Sequence, residues 1–117
     1  MLEGGYQKKI IDSIKAIGGT AFTGQFPTGQ ADLVCGWPKD GRLLYLEVEV
    51  KTKENYHRVM QSMDLVKGRY IIKDDCKSLK KHEYLQITKI NNTRANDGLA
   101  LLAYSFEQVK EYIDGQI

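Results

Sequence analysis

Apolar residues near the start of the chain recur at three- and four-residue steps: Leu2, Tyr6, Ile10, Ile14 and Ile17. That spacing places them on one face of a helix over about residues 3–17. Gly18-Gly19 closes it, because glycine takes the left-handed conformation that ends helices without a Cβ clash. Residues 20–26, aromatic and threonine-containing, have strand character, and Pro27-Thr28-Gly29-Gln30 is turn chemistry. Residues 32–37 read as a second short strand and Pro38-Lys39-Asp40-Gly41 as a hairpin connection. The clearest strand is 42–50 (RLLYLEVEV), whose opening apolar run predicts burial on both faces there.

Further on, Tyr56, Val59, Met60, Met63 and Val66 keep helical spacing, and 70–72 is a short strand. Residues 79–91 predict a helix with a poorly defined apolar face, and 98–104 a buried strand. Ser105 is an N-cap for a last helix, 106–113, with Val109, Tyr112 and Ile113 facing inward. The order predicts an α/β fold, a mixed β-sheet flanked by helices.

Composition narrows this. A chain of 117 residues with 42% hydrophobic positions suits a single domain with one ordinary core over 1–117. It shows no internal repeat or low-complexity tract. No run approaches the roughly 18 apolar residues of a membrane span, and MLEGGYQKK has no signal-peptide pattern, so the expected setting is cytoplasmic, away from membranes. Cys35 and Cys76 stand too far apart, with no metal-ligand spacing around them, for a disulfide framework or zinc ribbon. The net charge of +2 conceals an asymmetry: residues 51–94 hold 11 Lys/Arg against 5 Asp/Glu. Such a basic segment is compatible with nucleic acid, and equally with a solvated face.

The chemistry lies in the placement of the acids. Asp32 begins a strand after a glycine turn. Glu49 and Lys51 close the central strand two residues apart, so both point to one face. Pairing the two strands as a hairpin sets Asp32 beside Glu49. Two carboxylates at a strand end make an oxygen-rich site for Mg²⁺ or Mn²⁺. Lys51 adds positive charge able to position a water or to stabilise charge on a phosphate. The plainer reading is a surface ion pair worth about 0–1 kcal/mol. Against it, an apolar strand gains nothing from carboxylates that no partner satisfies. Glu47, on the same face, reads as solvent-facing or ion-paired. His57 and His82 read as surface or capping residues, His82 being the better placed to touch a phosphate. Trp37 reads as core or hairpin packing, and Met60 with Met63 as core or a dimer interface. Lys53, Lys80, Lys81, Lys89 and Arg94 can track a DNA backbone. No Gly-Lys-Ser/Thr follows a strand, which excludes a phosphate-loop NTPase.

The pattern Gly29-Gln30-Ala31-Asp32 with Glu49-Val50-Lys51 resembles the PD-(D/E)xK nuclease signature. More narrowly, the chain resembles the small stand-alone VRR-NUC (virus-type replication-repair nuclease) domains found in phages. Glu3 precedes Tyr6, Ile10 and Ile14 at the family's steps, and Gly98-Leu99-Ala100 with Ser105-Phe106-Glu107-Gln108-Val109 is similar to its closing strand and helix. The resemblance implies that Asp32, Glu49 and the Val50 carbonyl hold Mg²⁺ or Mn²⁺, that Lys51 is the catalytic lysine, and that Glu3 reaches the metal site. It implies a restriction-endonuclease-like core and a metal-dependent DNA endonuclease acting as a homodimer on duplex or branched DNA, such as a Holliday junction, in the host cytoplasm. Ala31 stands where the family has proline. Either Gln86 or Glu83 fills the family's glutamine position, and 52–78 reads as an insertion, a dimer contact or a DNA-facing arm. The alternatives are a non-catalytic nucleic-acid-binding module on the same fold and an accessory protein acting through protein contacts.

Overall fold

The computed structural model describes residues 1–23, 32–73 and 78–116. The first apolar stripe forms α1 (Glu3–Ala16), with Ile10 and Ile14 fully buried. Gly18, at φ 91°, lies just past its end in the left-handed region. Three antiparallel strands follow, β1 (Thr20–Thr23), β2 (Leu33–Lys39) and β3 (Arg42–Val50). The turn expected at 27–30 and the end of the first expected strand lie outside the described residues.

Asp40 and Gly41, at φ 52° and 79°, form the two-residue turn between β2 and β3, whose left-handed residues match the twist of a hairpin. Pro38 is tolerated inside β2 because β1 pairs only as far as Gly36, so the missing N–H points past the end of its neighbour. On the other side of β3, β6 (Leu99–Ala103) runs parallel, giving the order β1-β2-β3-β6. The result is the expected mixed sheet flanked by helices.

One face of the sheet is covered by α1 and α4 (Phe106–Asp114). There Ile10, Ile14, Val109 and Ile113 pack on Leu33, Leu46, Val48 and Val50, and Trp37 stacks on Phe106 at 5.4 Å. Ser105 caps α4 by accepting from the Gln108 N–H. On the other face lie α2 (Lys53–Gln61), the hairpin of β4 (Met63–Val66) and β5 (Arg69–Ile72), and α3 (Lys81–Ala95). Their Val59, Met63, Tyr70, Ile87 and Ile90 pack on Ala100 and Leu102.

Three expectations need correction. Helical spacing continues to Val66, but the helix stops at Gln61 and Met63–Val66 pairs with Arg69–Ile72 across Lys67-Gly68. A short apolar run satisfies helix and strand periodicity alike, and here pairing decides. Met63 is buried in this core and Met60 packs against it. Burial along β3 is also reversed: Leu43 and Tyr45 are more than half exposed, whereas Leu46, Val48, Glu49 and Val50 are buried. The second helical layer covers only the C-terminal part of the strand. Finally, the helix expected over 79–91 begins at Lys81 and ends at Ala95, and its inward positions include Glu83. Among the described residues no helix is long and apolar enough to cross a membrane.

Candidate active site

The site is built at the C-terminal end of β3. Leu33 pairs with Val48, so one further step of the antiparallel register brings Asp32 opposite Glu49 on the same face of the sheet. Asp32 is held there by its own chemistry: Oδ2 accepts the Val50 N–H at 3.0 Å. In an extended strand the N–H and C=O of one residue point to the same edge, so the Val50 carbonyl also faces the Asp32 side.

Glu49 is only 3% exposed. Burial first, and then its hydrogen bond to Asp32 and that group's charge, push its carboxyl up to about 9 from 4.5, against the pull of Lys51. Without a cation the Glu49 carboxyl keeps its proton, because a second carboxylate beside Asp32 is costly to ionise out of water. Gln86 Nε2 donates to Glu49 Oε1 at 2.7 Å. Its Oε1 is buried and has no hydrogen-bond partner, an orphan acceptor at the site.

Lys51 is buried, and its Nζ lies 3.4 Å from Glu83 Oε2. Glu83 is gripped much more tightly by Arg58, whose Nη1 and Nη2 donate to its two oxygens at 2.9 and 2.7 Å. The Lys80 N–H adds a bond of 2.8 Å to Oε1, the helix-start contact of an acid at the third position of α3. Burial alone would raise the Glu83 carboxyl. The Arg58 and Lys80 bonds and the Lys51 charge outweigh it and hold the group at about 2.

The geometry behind these contacts is simple. Glu83 and Gln86 are three apart on α3, one above the other on a single helix face. Glu49 on β3 and Lys51, one residue past its end, are two apart and so share a face of the extended chain. The helix runs against the strand, so its first turn meets Lys51 and its second meets Glu49. Of the two candidates for the glutamine position, Gln86 is the one that touches Glu49.

Glu3, on the exposed first turn of α1, also belongs to this region. Partial burial and the Asp32 charge raise its carboxyl, while Lys51 and His82 pull it down. Lys53 begins α2, Lys80 precedes α3 and Lys81 begins it; all three are exposed. His57 is exposed on α2 and lies against the rings of Tyr56 and Tyr104. Tyr45 donates to Glu47 at 3.0 Å, which makes Glu47 a hydrogen-bonded surface acid. Cys35 is a buried free thiol pushed up to about 12 by burial, and Cys76 lies outside the described residues.

Among the described residues no three His, Cys, Asp or Glu side chains form a metal cage. The residues at the site nonetheless fit a hard divalent cation. Asp32, Glu49 and the Val50 carbonyl are all oxygen donors, the carboxyl pair retains a proton that a cation can replace, and Gln86 Oε1 awaits a donor. Mg²⁺ characteristically takes one or two carboxylates and keeps several waters, so a full protein cage is not required.

No protein-family model matches the sequence, and no curated protein does. Among solved structures, one described as "VRR_NUC domain" is similar over 96% of this chain and 94% of its own, with 21% identity and a TM-score of 0.57. The chain has the VRR_NUC fold. The likeness of fold spans nearly the whole of both chains; within this chain α2 and the β4–β5 hairpin supply Val59, Met63 and Tyr70 to the core on the α3 side of the sheet. Sequence reasoning did not single out Arg58, and left Glu83 as a rival for the glutamine position. The available signal was polar residues at three-residue spacing on a helix whose apolar stripe is weak.

Proposed function

We propose that this chain is a divalent-cation-dependent DNA endonuclease that hydrolyses phosphodiester bonds as a homodimer, acting in the cytoplasm on duplex or branched DNA. One observation carries the reading: Asp32, Glu49 and Lys51 converge at the end of β3 in a chain with the VRR_NUC fold.

Asp32, Glu49 and the Val50 carbonyl would hold Mg²⁺ or Mn²⁺, with Glu3 at the edge of the same region. When bound, the cation supplies positive charge against a phosphodiester oxygen. Gln86 fixes one oxygen of Glu49 through its amide N–H, leaving its own carbonyl free to accept from a water. Lys51, buried to its ammonium, presents positive charge beside the carboxyl pair, where negative charge grows on the phosphate as water adds and the 3′-oxygen departs. Lys53, Lys80 and Lys81 sit at the starts of α2 and α3, where side-chain charge and the positive helix ends both favour flanking phosphates.

The test is cleavage of supercoiled plasmid and of a four-way junction with Mg²⁺, with Mn²⁺ and with EDTA, comparing native protein with Lys51→Ala. Cutting that needs the cation and falls at least a hundredfold in the variant is expected. Native protein that binds DNA but cuts neither substrate refutes the nuclease and leaves a binding module. Light scattering of the eluted protein, free and with DNA, tests the dimer.

A further inference from the structure

We propose that Glu83, clamped by Arg58, is a positioning residue that holds the Lys51 ammonium at the site; this rests on the nuclease reading above. A lysine carries four rotatable carbons, and nothing in β3 itself fixes where its charge ends. In this chain the stem is buried and, among the described residues, the ammonium has one ion-pair partner at its tip, Glu83 Oε2 at 3.4 Å. That distance is at the outer limit of a hydrogen bond, so the contact is mainly Coulombic. It fixes the position of the ammonium while leaving its N–H donors for a phosphate oxygen or a water.

Glu83 can do this only because it is itself immobile. Arg58 approaches it with two parallel N–H bonds, the strongest geometry for a carboxylate. Arg58 Nη1 also donates to the Ser78 carbonyl, and the Lys80 N–H ties Glu83 to the start of α3. The carboxylate is 1% exposed and thus has little water to compete with. A carboxylate needed only to begin a helix does not require this. An exposed acid at the third position does that work with the Lys80 bond alone. The rest of the arrangement, a guanidinium brought from α2 and the lysine that follows β3, concerns the placement of charge next to Glu49.

The experiment is steady-state cleavage by the full chain in saturating Mg²⁺, separating kcat from KM, for native protein, Lys51→Ala and Glu83→Gln. Glutamine preserves shape and an acceptor for Lys80 but removes the charge that faces Lys51. The expected result is a kcat lowered at least tenfold with KM within twofold, and Mn²⁺ affinity measured by calorimetry unchanged. Because Glu83→Gln leaves the Arg58 guanidinium without its carboxylate, the paired variant Arg58→Met/Glu83→Gln removes both charges together. Its thermal midpoint is read alongside its kcat, and the same tenfold fall in a folded protein is expected. A folded variant with native kcat overturns the proposal, as does a loss carried by KM or by Mn²⁺ affinity, since each makes Glu83 structural or a ligand support. If native protein does not cut at all, the nuclease reading has failed first, which is a different result from native cutting with Glu83→Gln unimpaired.

Discussion

Glu49→Gln should uncouple stability from pH in the cation-free protein. The substitution copies the protonated form of Glu49: its amide can donate to Asp32 and still accept from Gln86. In the fold, burial and Asp32 hold the native carboxyl at about 9, whereas unfolding returns it to 4.5. Between those values the folded chain retains a proton that the unfolded chain has released. The stability contributed by this group is therefore fully present below pH 4.5 and is lost as pH rises toward 9. The limiting slope is about 1.4 kcal/mol per pH unit. From pH 6 to 8 native protein should lose about 2–3 kcal/mol relative to the variant, and with a urea slope of about 1.5 kcal/mol/M its midpoint should fall by about 1.5–2 M. Glu83, held at about 2, acts in the opposite sense and only in acid: its contribution is present above 4.5 and lost as pH drops through 2, outside this window. The assay is urea denaturation followed by circular dichroism in EDTA at pH 6, 7 and 8. Saturating Mg²⁺ at pH 8 should raise the native midpoint and leave the variant unmoved. Midpoints that run parallel for the two proteins would refute the proton retained by Glu49.

Arg94 offers a test of the fold at the other end of α3. Its guanidinium lies 4.7 Å from the Tyr70 and Tyr112 rings and donates to the Ala100 and Gly68 carbonyls, so it ties the β4–β5 hairpin to β6. Arg94→Met should cost about 2 kcal/mol by urea denaturation and accelerate amide exchange in β4 and β5 before the rest of the sheet. Lys81→Ala, at an exposed helix start, should leave the thermal midpoint unchanged and reduce the slope of log affinity for DNA against log salt by about one.

Much of this was legible in the sequence, for reasons that differ by element. α1 and α4 follow from apolar stripes closed by a glycine pair or opened by Ser105, because a helix that packs on one side must show its period. The β2–β3 hairpin follows from Asp40-Gly41, whose left-handed angles few other dipeptides adopt readily. The equivalent turn at Lys67-Gly68 was missed because lysine carries no such preference, and the helical spacing of Met60, Met63 and Val66 continued across it. The continuous apolar run that opens β3 predicts two buried faces there, but which half a second layer covers is decided by where α3 lands. Asp32 beside Glu49 was readable, since register between two strands joined by a tight turn is arithmetic. The Arg58–Glu83 pair was not, because it joins elements 25 positions apart through tertiary packing.

The same physics explains why α3 looked weak in the sequence and why it matters. A helix laid over a sheet ordinarily buries a continuous apolar stripe, and here Ile87 and Ile90 do so over β5 and β6. Its first two turns instead lay Glu83 and Gln86 over the end of β3, where an apolar residue would leave Lys51 buried without its ion-pair partner and Glu49 without the Gln86 bond. Burying charge without a partner costs several kcal/mol, so strand and helix must change character together. The loss of apolar periodicity in α3 and the appearance of Glu49 and Lys51 at the end of an apolar strand are one feature seen from two elements. The same holds between α2 and α3: Glu83→Gln alone takes from the Arg58 guanidinium the carboxylate it grips, and this is why the paired Arg58→Met/Glu83→Gln variant should fold better than Glu83→Gln alone.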